Sequence, residues 1–171
     1  VSRIDAEETI RKAAPALLGF FVNRDASPED AADLVSETLL TAWRVRKRMP
    51  EEPEAARMWL FGVARNVLSS HKRSNRRRER LTAKLVDALD HAIRSRTGHL
   101  AEDRVAEVRA AVRLLPDAER ELVALVHWDG FSLVEAADLL GVPASTARSR
   151  YQSARQRLAQ TLLHEDAETA S

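Results

Sequence analysis

The sequence predicts an all-α protein, two small helical domains joined by a linker, the C-terminal one containing a helix-turn-helix. Three observations carry that expectation. Apolar residues recur at helical spacing through most of the chain, with only 5 Gly and 6 Pro among 171 residues. Paired prolines near position 50 and a Gly-Val-Pro near 141 separate periodic stretches. Basic residues gather in two separate places, 72–80 and 148–157, while the chain as a whole is nearly neutral, with 27 Lys+Arg against 26 Asp+Glu.

The bulk numbers exclude several classes. A length of 171 residues suits one compact domain or two small ones. Aromatics make up 5% of the chain, so the cores are built mainly from Leu, Val and Ala. The absence of cysteine excludes disulfides, thiolate metal sites and a thiol nucleophile. No apolar run approaches the ~18 residues of a membrane span, and the first residues have no apolar signal core, so a cytoplasmic protein is expected. The histidines (His71, His91, His99, His127, His164) lack the i, i+4 spacing of a metal pair. Neither a Gly-rich phosphate loop nor a nucleophile-base pair is present, so no catalysis, cofactor or metal is expected.

Helical signals begin over 10–22 and restart at Ser27-Pro28-Glu29-Asp30. There the serine can cap, the proline can occupy the first turn, and the acids favour the helix N-terminus. That helix is expected to reach about Arg46. Met49-Pro50-Glu51-Glu52-Pro53 reads as a loop, because two prolines so close interrupt helical hydrogen bonding. The next helix covers about 55–75, with Leu60, Val63, Ala64, Val67 and Leu68 on one face. These elements form a first domain over 1–80. Residues 81–103 read as a partly helical linker, 104–163 as the second domain, punctuated at Leu115-Pro116, and 164–171 as a disordered tail.

Each helix also has an outward face. Between Pro28 and Arg46, Ala31, Leu34, Val35, Thr38 and Ala42 turn inward, leaving Asp33, Ser36, Glu37, Leu40 and Arg44 outside. A leucine ringed by Asp, Glu and Ser resembles a docking surface, although single exposed leucines are common and the face taken alone reads as a solvated one. The following helix points Gly62, Arg65, Asn66, Ser69, Lys72 and Arg73 outward. Gly62 costs about 1 kcal/mol of helix propensity relative to Ala, and its bare backbone lets another molecule approach beside Arg65 and Asn66. Trp59 and Phe61 border this face and read as core residues rather than base-stacking platforms.

Ser132-Leu133-Val134-Glu135 is a capping box opening a helix along Leu133, Ala136, Ala137 and Leu140. Gly141-Val142-Pro143 stops it and a new helix starts near Ala144. Ala144, Ala147, Tyr151, Ala154 and Leu158 fall on the inner seam of that second helix. Its outer face carries Ser145, Ser149, Gln152 and Gln156, bordered by Arg148 and Ser153, with Arg150, Arg155 and Arg157 towards the flanks. Polar tips facing base edges and guanidinium groups facing phosphates are what a major-groove helix needs. A basic helix alone is usually a solvated surface; the cap, the glycine turn and the small inner seam together favour DNA binding.

These segments resemble the extracytoplasmic-function sigma factors of bacterial RNA polymerase. DAADLVSETLLTAW (30–43) is similar to the family's polymerase-docking helix, and ARMWLFGVARNVLSSHKR (56–73) to its promoter-melting helix. The stretch 114–158 is similar to its C-terminal promoter-binding domain. The resemblance implies a promoter-recognising subunit with core RNA polymerase and promoter DNA as partners, and an anti-sigma factor as a further candidate partner. It implies that Asp33, Ser36, Glu37 and Leu40 meet the clamp helices of the largest polymerase subunit. Arg65, Asn66, Ser69 and Ser70 would hold the minus-ten element, with Lys72, Arg73, Arg76 and Arg77 on its phosphates. Ser145, Thr146, Arg148, Ser149, Arg150, Gln152, Ser153 and Arg155 would serve the minus-thirty-five element. Leu122, Leu125, Val126 and Phe131 would pack within the last domain or against the polymerase flap. Ser145 stands where the family often has Gly, and Ser153 where a basic residue is usual, so major-groove contacts are expected to be fewer. The alternatives are a sigma mimic that binds only an anti-sigma factor, and a stand-alone helix-turn-helix regulator. The basic strips argue against the first and the acidic docking helix against the second.

Overall fold

Proline 15 divides the first predicted helix. In place of one helix over 10–22 there are two, α1 (Ala6–Lys12) and α2 (Ala14–Val22), with Pro15 in the first turn of α2. A proline here has no N–H for the carbonyl four residues back and its ring crowds that carbonyl, so the chain turns at Ala13. The computed structural model describes the backbone of residues 6–24, 26–86 and 103–169, and the side chains of 6–24, 26–77 and 106–163.

The next helix, α3 (Pro28–Arg44), starts as its sequence predicts. Asp30 N–H donates to the Ser27 hydroxyl oxygen at 3.1 Å, and the hydroxyl donates to the Asp30 carboxylate at 2.8 Å. A 3-10 turn over Arg46–Arg48 follows, then the proline loop. Helix α4 (Pro53–Val86) is capped by a carboxylate: Glu52 accepts from Glu54 N–H at 3.1 Å and from Ala55 N–H at 2.7 Å. Pro53 has no amide hydrogen to satisfy, so the first turn loses nothing. α4 continues past both the expected helix end at 75 and the expected domain limit at 80. Positions 76–86 hold no proline or glycine, and arginine, leucine, alanine and lysine are good helix formers.

Ala31, Leu34, Thr38 and Ala42 of α3 are buried against the other helices of this unit, and the Thr38 hydroxyl donates to the Leu34 carbonyl at 2.7 Å. Its polar group is therefore satisfied inside the core. Phe20 meets Phe21 and Phe61 edge to face, with ring centroids 5.2 and 5.5 Å apart. The buried Arg24 lies 3.6 Å over the Phe20 ring and donates to the Phe20 carbonyl at 3.0 Å. A second cluster joins Ile10, Ala42 and Leu60 with Ala13, Leu39, Met49 and Trp59 packed on it.

The other unit holds α5 (Asp103–Arg113), α6 (Asp117–His127), α7 (Leu133–Leu140) and α8 (Ala144–Thr169). The chain thus divides into two units, Val1–Thr97 and Gly98–Ser171, which makes this an all-α protein with two helical domains and a linker. Most of the expected linker lies outside the described residues; 81–86 belong to α4 and 103 to α5. Arg120 ties the α5–α6 corner, donating to the Arg113 carbonyl at 3.1 Å and pairing with Asp117. Both halves of the capping box are formed: Glu135 N–H donates to the Ser132 hydroxyl at 3.3 Å, and Ser132 N–H to the Glu135 carboxylate at 2.7 Å. Gly141 ends α7 at φ 64°, a conformation that costs a side-chain-bearing residue about 1–2 kcal/mol.

Val112, Leu115, Val123 and Ala154 form a core cluster against which Trp128 and Leu158 pack. The backbone of α8 is helical to Thr169, where a disordered tail from His164 was expected. No helix breaker follows Ala144, so the helix has no reason in the sequence to stop at 163. Among the described residues, no helix is long and apolar enough to cross a membrane.

Candidate nucleic-acid interface

Period and burial agree along α4. Leu60, Ala64, Val67 and Leu68 are buried, while Asn66, Ser69, Ser70, Lys72, Arg73, Arg76 and Arg77 are exposed. From Asn66 to Arg77 this strip is about 16 Å long at the helical rise. Arg65 is half-buried. Arg73 donates to the Ser70 hydroxyl at 3.1 Å, so Ser70 and Arg73 act as one polar group on the strip. Asn75 and His71 share a 2.9 Å hydrogen bond one turn along. A methyl placed on Gly62 would meet nothing within 4 Å, so packing within the chain does not require glycine there. Phe61 is in the core, 2% exposed, and Trp59 packs on the Ile10 cluster, so both rings are engaged by the protein itself.

On α3 the acidic face stands as the period predicts, with Asp33, Ser36, Glu37, Leu40 and Arg44 exposed and Val35 half-buried. Leu40 is 50% exposed. The Ser36 hydroxyl donates to the Ala32 carbonyl at 3.0 Å, leaving its oxygen lone pairs for a partner. Sequence reasoning missed the neighbour of Leu40. Trp43 is also exposed, and the Arg46 guanidinium lies 4.0 Å over its ring while donating to the Trp43 carbonyl at 2.9 Å. The three-residue step from Leu40 to Trp43 was the available signal.

The decisive arrangement is on α8. Ala147 and Ala154 are fully buried, and Ala144, Tyr151 and Leu158 are partly so. Ser145, Arg148, Ser149, Gln152 and Arg155 are exposed, while Thr146, Arg150 and Ser153 are half-buried at the margins. Arg148, Ser149 and Gln152 therefore point away from the protein's own interior. Arg157 is exposed at the flank and also reaches back to the protein's own surface. Its Nε lies 3.3 Å from the carboxylate of Glu119, a residue that is 9% exposed. Tyr151 Oη lies 2.7 Å from His127 Nε2, and the two rings stack at 5.9 Å.

Leu122, Leu125 and Phe131 are buried and Val126 is half-buried. Of the two roles open to these residues, internal packing is the one the geometry fits. Each full burial of a leucine or phenylalanine contributes about 1.5–3 kcal/mol relative to exposure.

Comparison with known proteins agrees with this layout. Residues 9–78 match the Sigma-70 region 2 family and residues 106–158 match Sigma-70, region 4. The chain is 35% identical over 166 residues to the ECF RNA polymerase sigma factor EcfG of Rhodopseudomonas palustris, covering 94% of this chain and 87% of that one. It is 30% identical over 174 residues to the ECF RNA polymerase sigma factor SigF of Caulobacter vibrioides, covering 95% and 91%. Among solved structures it is similar to the sigma factor RpoE from Bartonella quintana in complex with the anti-sigma factor NepR. That match has a TM-score of 0.70 at 28% identity and covers 92% of this chain and 96% of the other.

Proposed function

Because this chain belongs to the extracytoplasmic-function sigma factors of bacterial RNA polymerase, we propose that its outward faces divide the work of promoter recognition residue by residue. Sigma factors direct core polymerase to promoters and initiate transcription. Here Asp33, Ser36, Glu37 and Leu40 dock the clamp helices of the largest subunit, the acids meeting basic groups and Leu40 an apolar one. Trp43 extends that surface. Asn66, with Arg65, Ser69 and Ser70, holds a base displaced from the minus-ten element, and Lys72, Arg73, Arg76 and Arg77 neutralise the phosphates beside it.

On α8, Arg148, Ser149 and Gln152 read base edges of the minus-thirty-five element, and Ser145, Thr146, Arg150, Ser153 and Arg155 line its backbone. The chain works without a catalytic centre of its own, in the cytoplasm where its polymerase is. An anti-sigma factor is a fitting regulator, since the similar RpoE is bound by one.

The observation that carries this reading is the exposure of Arg148, Ser149 and Gln152 on the side of α8 opposite the buried Ala147 and Ala154. In vitro transcription with core polymerase tests it. Arg148→Ala is expected to impair promoters that depend on the upstream element while core binding stays intact. Asp33→Ala with Glu37→Ala is expected to weaken core binding. Equal core-binding losses in both variants would rule out the division.

A further inference from the structure

The most deeply buried positions of the seam that holds α8 are very small residues. Ala147 and Ala154 let the helix approach closely, and both are fully buried. Alanine faces interlock poorly, because a methyl group makes a low ridge and a shallow groove. Such a seam fixes the distance of a helix better than its rotation. Rotation matters here: at a helix radius of about 6 Å including side chains, a 15° turn moves a side-chain tip by about 1.5 Å. A base-edge hydrogen bond does not survive that displacement.

Among the longer polar contacts from α8 to α6 are two side-chain pairs. One is the stacked and hydrogen-bonded pair of Tyr151 with His127, the last residue of α6. The other is Arg157 with Glu119, in the first turn of α6. They lie six residues apart on α8, about 9 Å along its axis, and grip opposite ends of α6. Only Tyr151 lies within the base-facing stretch, immediately before Gln152 and three residues after Arg148.

We infer that Tyr151 and His127 are positioning residues for upstream-element recognition: their bond sets the rotation of α8, and so decides which base edges Arg148 and Gln152 reach. This rests on the proposal that α8 faces the minus-thirty-five element. The pair itself touches no base; it acts through the side chains it orients.

The test uses the full chain with core polymerase on a matched promoter and on single-base changes in the upstream and minus-ten elements. Tyr151→Phe keeps the ring and removes the hydroxyl. It is expected to lower discrimination among upstream sequences by about fivefold, the lower end of what one good side-chain–base pair supplies. Discrimination at the minus-ten element and the thermal midpoint should stay as in the natural protein. His127→Ala, at an exposed position, breaks the same bond without touching the interior and should match Tyr151→Phe, with no further loss in the double variant. His127→Gln, which can still bond the hydroxyl, should remain within about twofold of the natural protein. Unchanged discrimination in both Tyr151→Phe and His127→Ala overturns the inference. So does a uniform loss across all upstream sequences, or a glutamine variant no better than alanine. If Arg148→Ala leaves upstream-element use untouched, the underlying reading of α8 fails instead.

Discussion

Gly62→Ala adds one methyl to the outer side of α4, and its two consequences have opposite signs. Within the chain the new Cβ meets nothing within 4 Å, so there is no clash to offset the gain in helix propensity. That gain is about 0.8–1 kcal/mol for glycine to alanine inside a helix. In a helical unit of this size it should raise the thermal midpoint of the N-terminal transition by about 4–8 °C, followed by circular dichroism on the full chain. On the promoter the same methyl stands one turn from Asn66, where DNA is proposed to come closest. Forcing a methyl into a close-packed contact costs about 1–3 kcal/mol, so open-complex formation by the holoenzyme should fall about five- to 150-fold. Permanganate reactivity of unpaired thymines reads that step directly. A lowered midpoint would refute the open-space argument. A raised midpoint with unimpaired opening would refute the close approach.

Other perturbations follow from the same structure. Ser132→Ala removes the hydroxyl that receives Glu135 N–H and should cost about 1 kcal/mol, seen as a lower urea midpoint for the C-terminal unit. Phe61→Ala empties a site bounded by Phe20 and should destabilise the N-terminal unit by about 3–5 kcal/mol in chemical denaturation. Arg76→Ala with Arg77→Ala should weaken promoter complexes alike across sequences. A plot of log affinity against log salt should become shallower by roughly two units, read by filter binding of the holoenzyme.

The outward faces were legible because they depend on local rules. A period of 3.6 places Asp33 and Glu37 outside whenever Leu34 and Thr38 are inside, and a serine-glutamate cap and a glycine stop frame a short helix whatever surrounds it. Helix ends were less legible. The basic run after Asn75 carries no signal for where the helix stops, since charge does not break a helix, and Pro15 sits inside an apolar stretch that reads as continuous. Partner choice was hidden altogether. Nothing at helical spacing indicates that Arg157 turns back to Glu119 or that Tyr151 finds His127, 24 positions away. The same holds for Phe131, whose burial depends on a loop geometry that periodicity does not describe.

The carboxylate of Glu52 has a consequence for how such a chain can vary. By receiving the amides of Glu54 and Ala55 it fixes the residue at which α4 begins. Every later position is counted from that origin in steps of about 100°. A single inserted or deleted residue between Glu52 and Asn66 would swing the asparagine a quarter-turn or more around the cylinder, while most exchanges of one side chain for another would leave its bearing untouched. Lineages carrying this element should therefore drift freely in composition over that interval yet keep its length.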